Sequence, residues 1–177
     1  DLEISWESSQ QSDSLEIKLL EGYRPYFEDL QKGTVPSSVN FQCLTAISEG
    51  IGGRRFINHL AQAETQRLGL NGFGERLLVT ANQPGIGVFN GDTGVVIDPY
   101  HSPNPRVQFE NIDQPLLKNQ LGAVESAWAI SIHRSQGSEY SSVLICLPEP
   151  ATSRSRFRPS RELLYTALTR AKERVQL

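Results

Sequence analysis

Apolar positions along this chain repeat with two periods, and the period switches in the middle. Leu19, Leu20, Tyr23, Tyr26, Phe27 and Leu30 share one face of a helix predicted over residues 15–31, which Pro25 is expected to kink or split. A turn over 33–38 follows, and then a buried strand over 41–46. Gly50, Gly52 and Gly53 lead into a second helix over 54–68, with Phe56, Ile57, Leu60, Ala61 and Ala63 on its apolar side. Gly69 and the run Asn71-Gly72-Phe73-Gly74 end it. From residue 76 to 125 the helical period disappears. Short strands are predicted at 77–80, 87–89, 94–97, 106–109 and 120–124, separated by Gly-, Pro- and Asn-containing turns, which together predict a small β-barrel. Alternation then returns. A strand over 127–132 places Trp128, Ile130 and Ile132 on one side, and the apolar run 143–147 reads as a buried parallel strand. The last element is a helix over 159–174, capped by Ser160, with Leu163, Leu164, Ala167, Leu168 and Ala171 as its apolar stripe and Arg170 at the stripe's edge. Residues 1–14, rich in Ser, Gln and acids, read as a mobile lead-in or an insertion. The sum is an α/β domain with a parallel sheet, interrupted by a β module.

Composition adds boundaries to this picture. The chain has 177 residues, 38% of them hydrophobic, with 14 Gly and 10 Pro, which fits one globular domain or a domain with a small insert. No apolar run approaches the roughly 18 residues that span a bilayer, so no membrane role is expected. Cys43 and Cys146 both lie in apolar runs and are expected to be reduced core residues, which points to a cytoplasmic protein. The chain has no Met, shows no basic-then-apolar leader, and stops on Val175-Gln176-Leu177, which reads like the start of a strand. It is therefore expected to be a piece of a longer protein. Its net charge of -3 divides unevenly: the first thirty residues are acidic, whereas 150–177 are basic and include Arg154, Arg156 and Arg158 interleaved with Ser and Phe157. A basic end is compatible with binding an anion and equally with a solvated face.

The chemistry concentrates in two stretches. The first is Ile132-His133-Arg134-Ser135-Gln136-Gly137-Ser138-Glu139-Tyr140, between two predicted strands. It puts polar residues at a strand's C-terminal end, where open α/β sheets bind ligands. His133 and Ser135 are short donors suited to a sugar-phosphate backbone. Gly137 allows a sharp turn, and Glu139 suits a ribose hydroxyl. A nucleophile elbow is excluded, because position 133 is His where Gly is needed. The second stretch, Arg161-Glu162-Leu163-Leu164-Tyr165-Thr166-Ala167-Leu168-Thr169-Arg170-Ala171-Lys172, holds one arginine whose permanent, planar charge suits a transferring phosphoryl group. The chain has no Gly-x-x-x-x-Gly-Lys-Ser/Thr loop to cradle phosphates.

In this order and about twenty residues apart, the two stretches resemble the last two motifs of superfamily 1 DNA helicases. The resemblance is strongest to the RecD type, the exodeoxyribonuclease V alpha subunit; conjugative relaxases carry related motifs. Gly87-Val88-Phe89-Asn90-Gly91-Asp92-Thr93-Gly94 is similar to the segment that opens the family's inserted barrel. The resemblance implies an α/β fold: the second RecA-like motor domain at 40–75 and 126–177, a Src-homology-3-like barrel inserted at 76–125, and an acidic lead-in with a helix at 1–39. It implies that His133, Ser135 and Gln136 touch single-stranded DNA, that Gln136, Gly137, Glu139 and Arg170 face nucleotide, and that Arg170 is the catalytic arginine finger. It further implies a 5′–3′ helicase of DNA recombination and repair that uses ATP with Mg2+, the metal ligands lying outside this chain. The implied partners are the first RecA-like domain of the same protein and nuclease–helicase subunits. Alone, without a P-loop, the chain is expected to be inactive. The alternative is a helicase-fold module that binds or assembles without catalysis.

Overall fold

The computed structural model describes residues 2–5, 12–36, 40–98, 102–148 and 158–177. Arg154, Arg156 and Phe157 of the basic stretch, parts of the lead-in and of the 33–38 turn, and Pro99 lie outside them. The described residues form two compact units. One holds the segments 1–24, 38–60 and 129–177; the other holds 25–37 and 61–128.

The first unit is built on a five-stranded parallel sheet with strands β1 (Glu3–Ser5), β2 (Phe41–Thr45), β8 (Ala129–Ser131), β9 (Tyr140–Cys146) and β10 (Ala171–Gln176), in the order β1-β10-β9-β2-β8. Every residue of β2 is buried, as a strand covered on both faces requires. Helix α1 (Ser12–Gln31), up to Arg24, belongs to this unit and buries Leu19 and Tyr23 here. Tyr23 meets Phe41 edge-on with ring centroids 4.8 Å apart. Cys43 and Cys146 are buried free thiols on adjacent strands with their sulfurs 3.6 Å apart, and burial pushes the Cys43 thiol well above its ordinary pKa.

The second unit is built on a five-stranded antiparallel sheet in the order β6-β5-β4-β3-β7. Its strands are β3 (Arg76–Val79), β4 (Thr93–Val96), β5 (Arg106–Phe109), β6 (Leu116–Leu117) and β7 (Val124–Ser126), with β6 and β7 as edges. Leu77, Val79, Val88, Val96, Val107, Phe109 and Leu121 form a core of its own. Helix α2 (Arg54–Arg67) ends in this unit, as does α1, whose Tyr26 and Phe27 pack on Trp128. The Tyr26 hydroxyl donates to the Gly74 carbonyl at 3.0 Å. Burial raises its pKa to about 12, with the nearby Arg76 charge working the other way.

Several expectations are corrected. The helix predicted over 159–174 is two elements: α3 (Arg161–Leu168) and, after a turn at Thr169-Arg170, strand β10. Ala-Lys-Glu-Arg favours a helix in isolation, but pairing with β9 on one side and β1 on the other overrides that preference. The lead-in contributes β1. Pro25 lies inside one continuous helix, its missing hydrogen bond being offset by the aromatic and leucine side chains buried around it. Residues 84–86 form a 3-10 turn, and Val88 makes a lone bridge to Gln83 where a strand was expected over 87–89. Lys118–Gln120 is also a 3-10 turn, so the strand expected over 120–124 begins only at Val124. Among the described residues no helix is long and apolar enough to cross a membrane.

A methyl group at Gly22 would sit 2.2 Å from the Phe41 ring. Gly22→Ala is therefore expected to cost about 1–3 kcal/mol through overpacking of α1 against β2. Denaturant unfolding checks this, and wild-type stability would show that the ring yields freely.

Candidate functional site

The register of the parallel sheet fixes where the two motifs lie. Thr45 pairs with Ser131 on one side and with Cys146 on the other, so β8, β2 and β9 end at one level. Tyr140 opens β9 at the opposite end of the sheet, beyond Ser142, which pairs with Phe41. Residues 132–139 must therefore run back along the strands, a span of roughly 20 Å at strand rise. The first motif is not confined to a C-terminal strand end, as the sequence suggests, but bridges both ends of the sheet.

Its upper part is a 3-10 turn, Ile132–Ser135, closed at both sides. The Ser131 hydroxyl accepts from the Arg134 amide at 3.4 Å, and the Ser135 hydroxyl donates to the Ile132 carbonyl at 2.7 Å. Ile132 and Ser135 face inward while His133 and Gln136 face solvent. Ser135, fully buried, thus spends its one donor inside the fold, where it shapes the turn. Gly137 follows with φ +88°, a conformation that a side chain would strain. The Ser138 amide donates to the Ser135 carbonyl at 3.0 Å.

At the lower end the second motif joins the first. Ser160 caps α3 by accepting from the Leu163 amide at 3.1 Å. The Glu162 carboxyl is held below the usual carboxylate range by its own backbone N–H and by the Ser160 hydroxyl. The helix ends at Leu168, so Arg170 is not at the edge of a helical stripe. It sits in the turn before β10, where its carbonyl accepts from the Tyr140 amide at 2.8 Å. Its guanidinium donates through Nη1 to the Ser138 carbonyl at 3.2 Å, through Nε to the Thr166 carbonyl at 3.1 Å and through Nη2 to the Thr169 hydroxyl at 3.1 Å. Thr169 in turn donates to the Thr166 carbonyl at 3.0 Å. One N–H on each terminal nitrogen is left without a partner among the described residues. Glu139 is exposed and pairs with Lys172 at 3.3 Å, a solvated bridge of small energetic weight.

The structure thus brings Arg170 and the 138–140 segment together, sets Glu139 beside them, and leaves His133 and Gln136 further along the same connection. The sequence reading passed over Thr166, Thr169 and Lys172, each within the second motif, Ser131, just before the first, and Asn58, far from both. Among the described residues no group of three or more His, Cys, Asp or Glu is placed to hold a metal ion.

Residues 126–177, which carry both motifs, match the family of UvrD-like helicase C-terminal domains. Over 106 residues the chain is 42% identical to the RecBCD enzyme subunit RecD of Mycobacterium tuberculosis, covering 59% of this chain and 17% of that protein. It is 30% identical over 136 residues to the ATP-dependent RecD2 DNA helicase of Deinococcus radiodurans, covering 77% of this chain and 17% of the relative. The chain is a relative of the C-terminal part of RecD-type helicases and spans about a sixth of the length of these two. A crystal structure of Bacteroides Pif1 bound to ssDNA is similar at a TM-score of 0.47 and 16% identity, over 96% of this chain and 49% of that one, too distant to add to the assignment.

Removing the Ser135 hydroxyl should cost about 1 kcal/mol, the net worth of one buried hydrogen bond. Ser135→Ala in this chain, followed by denaturant unfolding, checks it. An unchanged midpoint would show that the turn does not depend on that bond.

Proposed function

We propose that this chain is the C-terminal motor part of an ATP-dependent 5′–3′ DNA helicase acting in recombination and repair. Its second RecA-like domain would comprise 40–75 and 126–177. The antiparallel unit would be an inserted Src-homology-3-like barrel at 76–125, following an N-terminal segment at 1–39. The observation that carries the proposal is the join between the motifs: the Arg170 guanidinium on the Ser138 carbonyl, with the Arg170 carbonyl on the Tyr140 amide.

The chemistry follows from that join. ATP would lie between this domain and the first RecA-like domain, which would supply the P-loop and the Mg2+ ligands. Arg170 would turn its two unused N–H groups to the terminal phosphate, where charge builds up during transfer. The bonds to Ser138, Thr166 and Thr169 hold the guanidinium in place before nucleotide arrives, so little ordering remains to be done. Gln136, Gly137 and Glu139 would face the nucleotide, with Glu139 exchanging Lys172 for a ribose hydroxyl. His133 and Gln136 would meet single-stranded DNA at the other end of the same connection, with Ser135 holding the turn. Residues 132–139 would then link the two ligands mechanically. Nuclease–helicase subunits are further partners in this reading, and a cytoplasmic setting follows from it.

The three internal bonds of Arg170 also favour a second reading, in which the arginine is a staple in a non-catalytic assembly module. One substitution separates the two. In the longer protein that carries this chain, Arg170→Lys keeps a positive charge but loses the planar fork. ATP turnover is expected to fall by about 10³–10⁵-fold while nucleotide binding persists. Turnover near the wild-type rate would remove the catalytic role and leave the staple.

A further inference from the structure

Among the described residues, the strand that launches the His133 turn is the outermost of its sheet, β8 pairing only with β2. One side of its backbone therefore has no ladder neighbour. Asn58 on α2 fills that place. Its Oδ1 accepts from the Ala129 amide at 2.9 Å, and its Nδ2 donates to the Ala129 carbonyl at 3.0 Å. Both residues are buried, Asn58 to 8% exposure and Ala129 to 0%. The side-chain amide thus reproduces the two bonds that a further strand would make. Neighbours Ile57 and Ala61 are fully buried and fix the helix that carries it. Removing the amide would take away the partner of two buried backbone groups, which costs their desolvation. Ala129 begins the strand whose last residue, Ser131, caps the turn, so the direction in which β8 leaves the sheet is set at this bond pair.

We infer that Asn58 is a positioning residue for single-stranded DNA binding: it holds β8 so that His133 and Gln136 face the strand. The inference rests on the DNA role proposed for the His133 turn. Asn58 lies outside both motifs, on an amphipathic helix whose other buried residues are Ile57, Ala61 and Thr65. Its action is through the backbone of β8, without contact to DNA.

Two measurements test it. In this chain, amide hydrogen exchange is followed in Asn58→Ala. The Arg134 and Ser138 amides, which close the turn, are expected to exchange at least tenfold faster, while the amides of β9 hold their protection. Thr65→Val, on the same helix and losing a hydroxyl that donates to the Gln62 carbonyl, serves as the control. No change at the turn, or an equal rise throughout the sheet, would overturn the positioning role. If Asn58→Ala does not fold, Asn58→Ser is used, because one short hydroxyl cannot bridge both Ala129 groups. In the longer protein, the oligo-dT concentration that half-stimulates ATP hydrolysis is measured in a double-mutant cycle with His133→Ala. Asn58→Ala is expected to raise that concentration about tenfold alone and less than twofold when His133 is already gone. Effects that multiply would show that Asn58 does not act through the turn. Half-stimulation unchanged by His133→Ala would defeat the DNA reading of the turn instead, and the exchange result would still decide whether Asn58 holds it.

Discussion

Parallel pairing imposes the constraint on which the rest of the site depends. β8 and β9 flank β2 and run the same way, so the chain must return to the starting edge between them. Such a return usually takes a dozen residues or more and a full helix. Here residues 132–139 make it with one 3-10 turn, a second turn closed by the Ser138 amide on the Ser135 carbonyl, and the short stretch that follows. At most about 3.3–3.6 Å per residue is available, against a span of roughly 20 Å, so the connection holds little slack. Its first side chains emerge at one end of the strands, and towards the other end its Ser138 carbonyl accepts from Arg170. A displacement at either end has few bonds in which to dissipate.

The sheet holds this connection from both sides. β2 is buried along its whole length and packs Phe41 beneath the close passage of α1 at Gly22. On the outer flank Asn58 replaces the missing strand, and Ser131 and Ser135 close the turn. At the lower end, Thr166 and Thr169 hold Arg170 from α3 while Ser138 holds it from the connection. None of these bonds is worth more than about 1–3 kcal/mol. Their effect is to define one position for the Arg170 guanidinium and for the 132–135 turn.

Much of this was legible in the residues. Helix α2, strands β2 and β5 and the apolar part of β9 follow from period and spacing, and the two motifs from their resemblance to superfamily 1 helicases. The neighbouring elements that failed did so for identifiable reasons. Ala171–Gln176 carries helix-forming residues and only Val175 is buried, so its strand character comes from partners far away in sequence. β1 is three exposed residues whose only signal is the β10 edge they meet. Arg170 was found by its motif, but its placement on a helical stripe was wrong, because no local pattern showed that α3 stops at Leu168. Ser135 has the chemistry of a DNA donor, and only the folded turn reveals that its hydroxyl is used internally. Asn58 gave no signal, since an Asn among core positions becomes meaningful only once Ala129 lies opposite it.

The claim that the two ends of one connection communicate is tested by linkage. In the longer protein, the affinity for a fluorescent single-stranded oligonucleotide is measured with and without a non-hydrolysable ATP analogue, for wild type and for Arg170→Ala. If the ends are coupled through residues 132–139, nucleotide changes DNA affinity in the wild type, and binding reciprocity makes that change a coupling free energy. The account requires the change to vanish in Arg170→Ala while DNA binding without nucleotide persists. A nucleotide effect of wild-type size in the Arg170→Ala protein would contradict it.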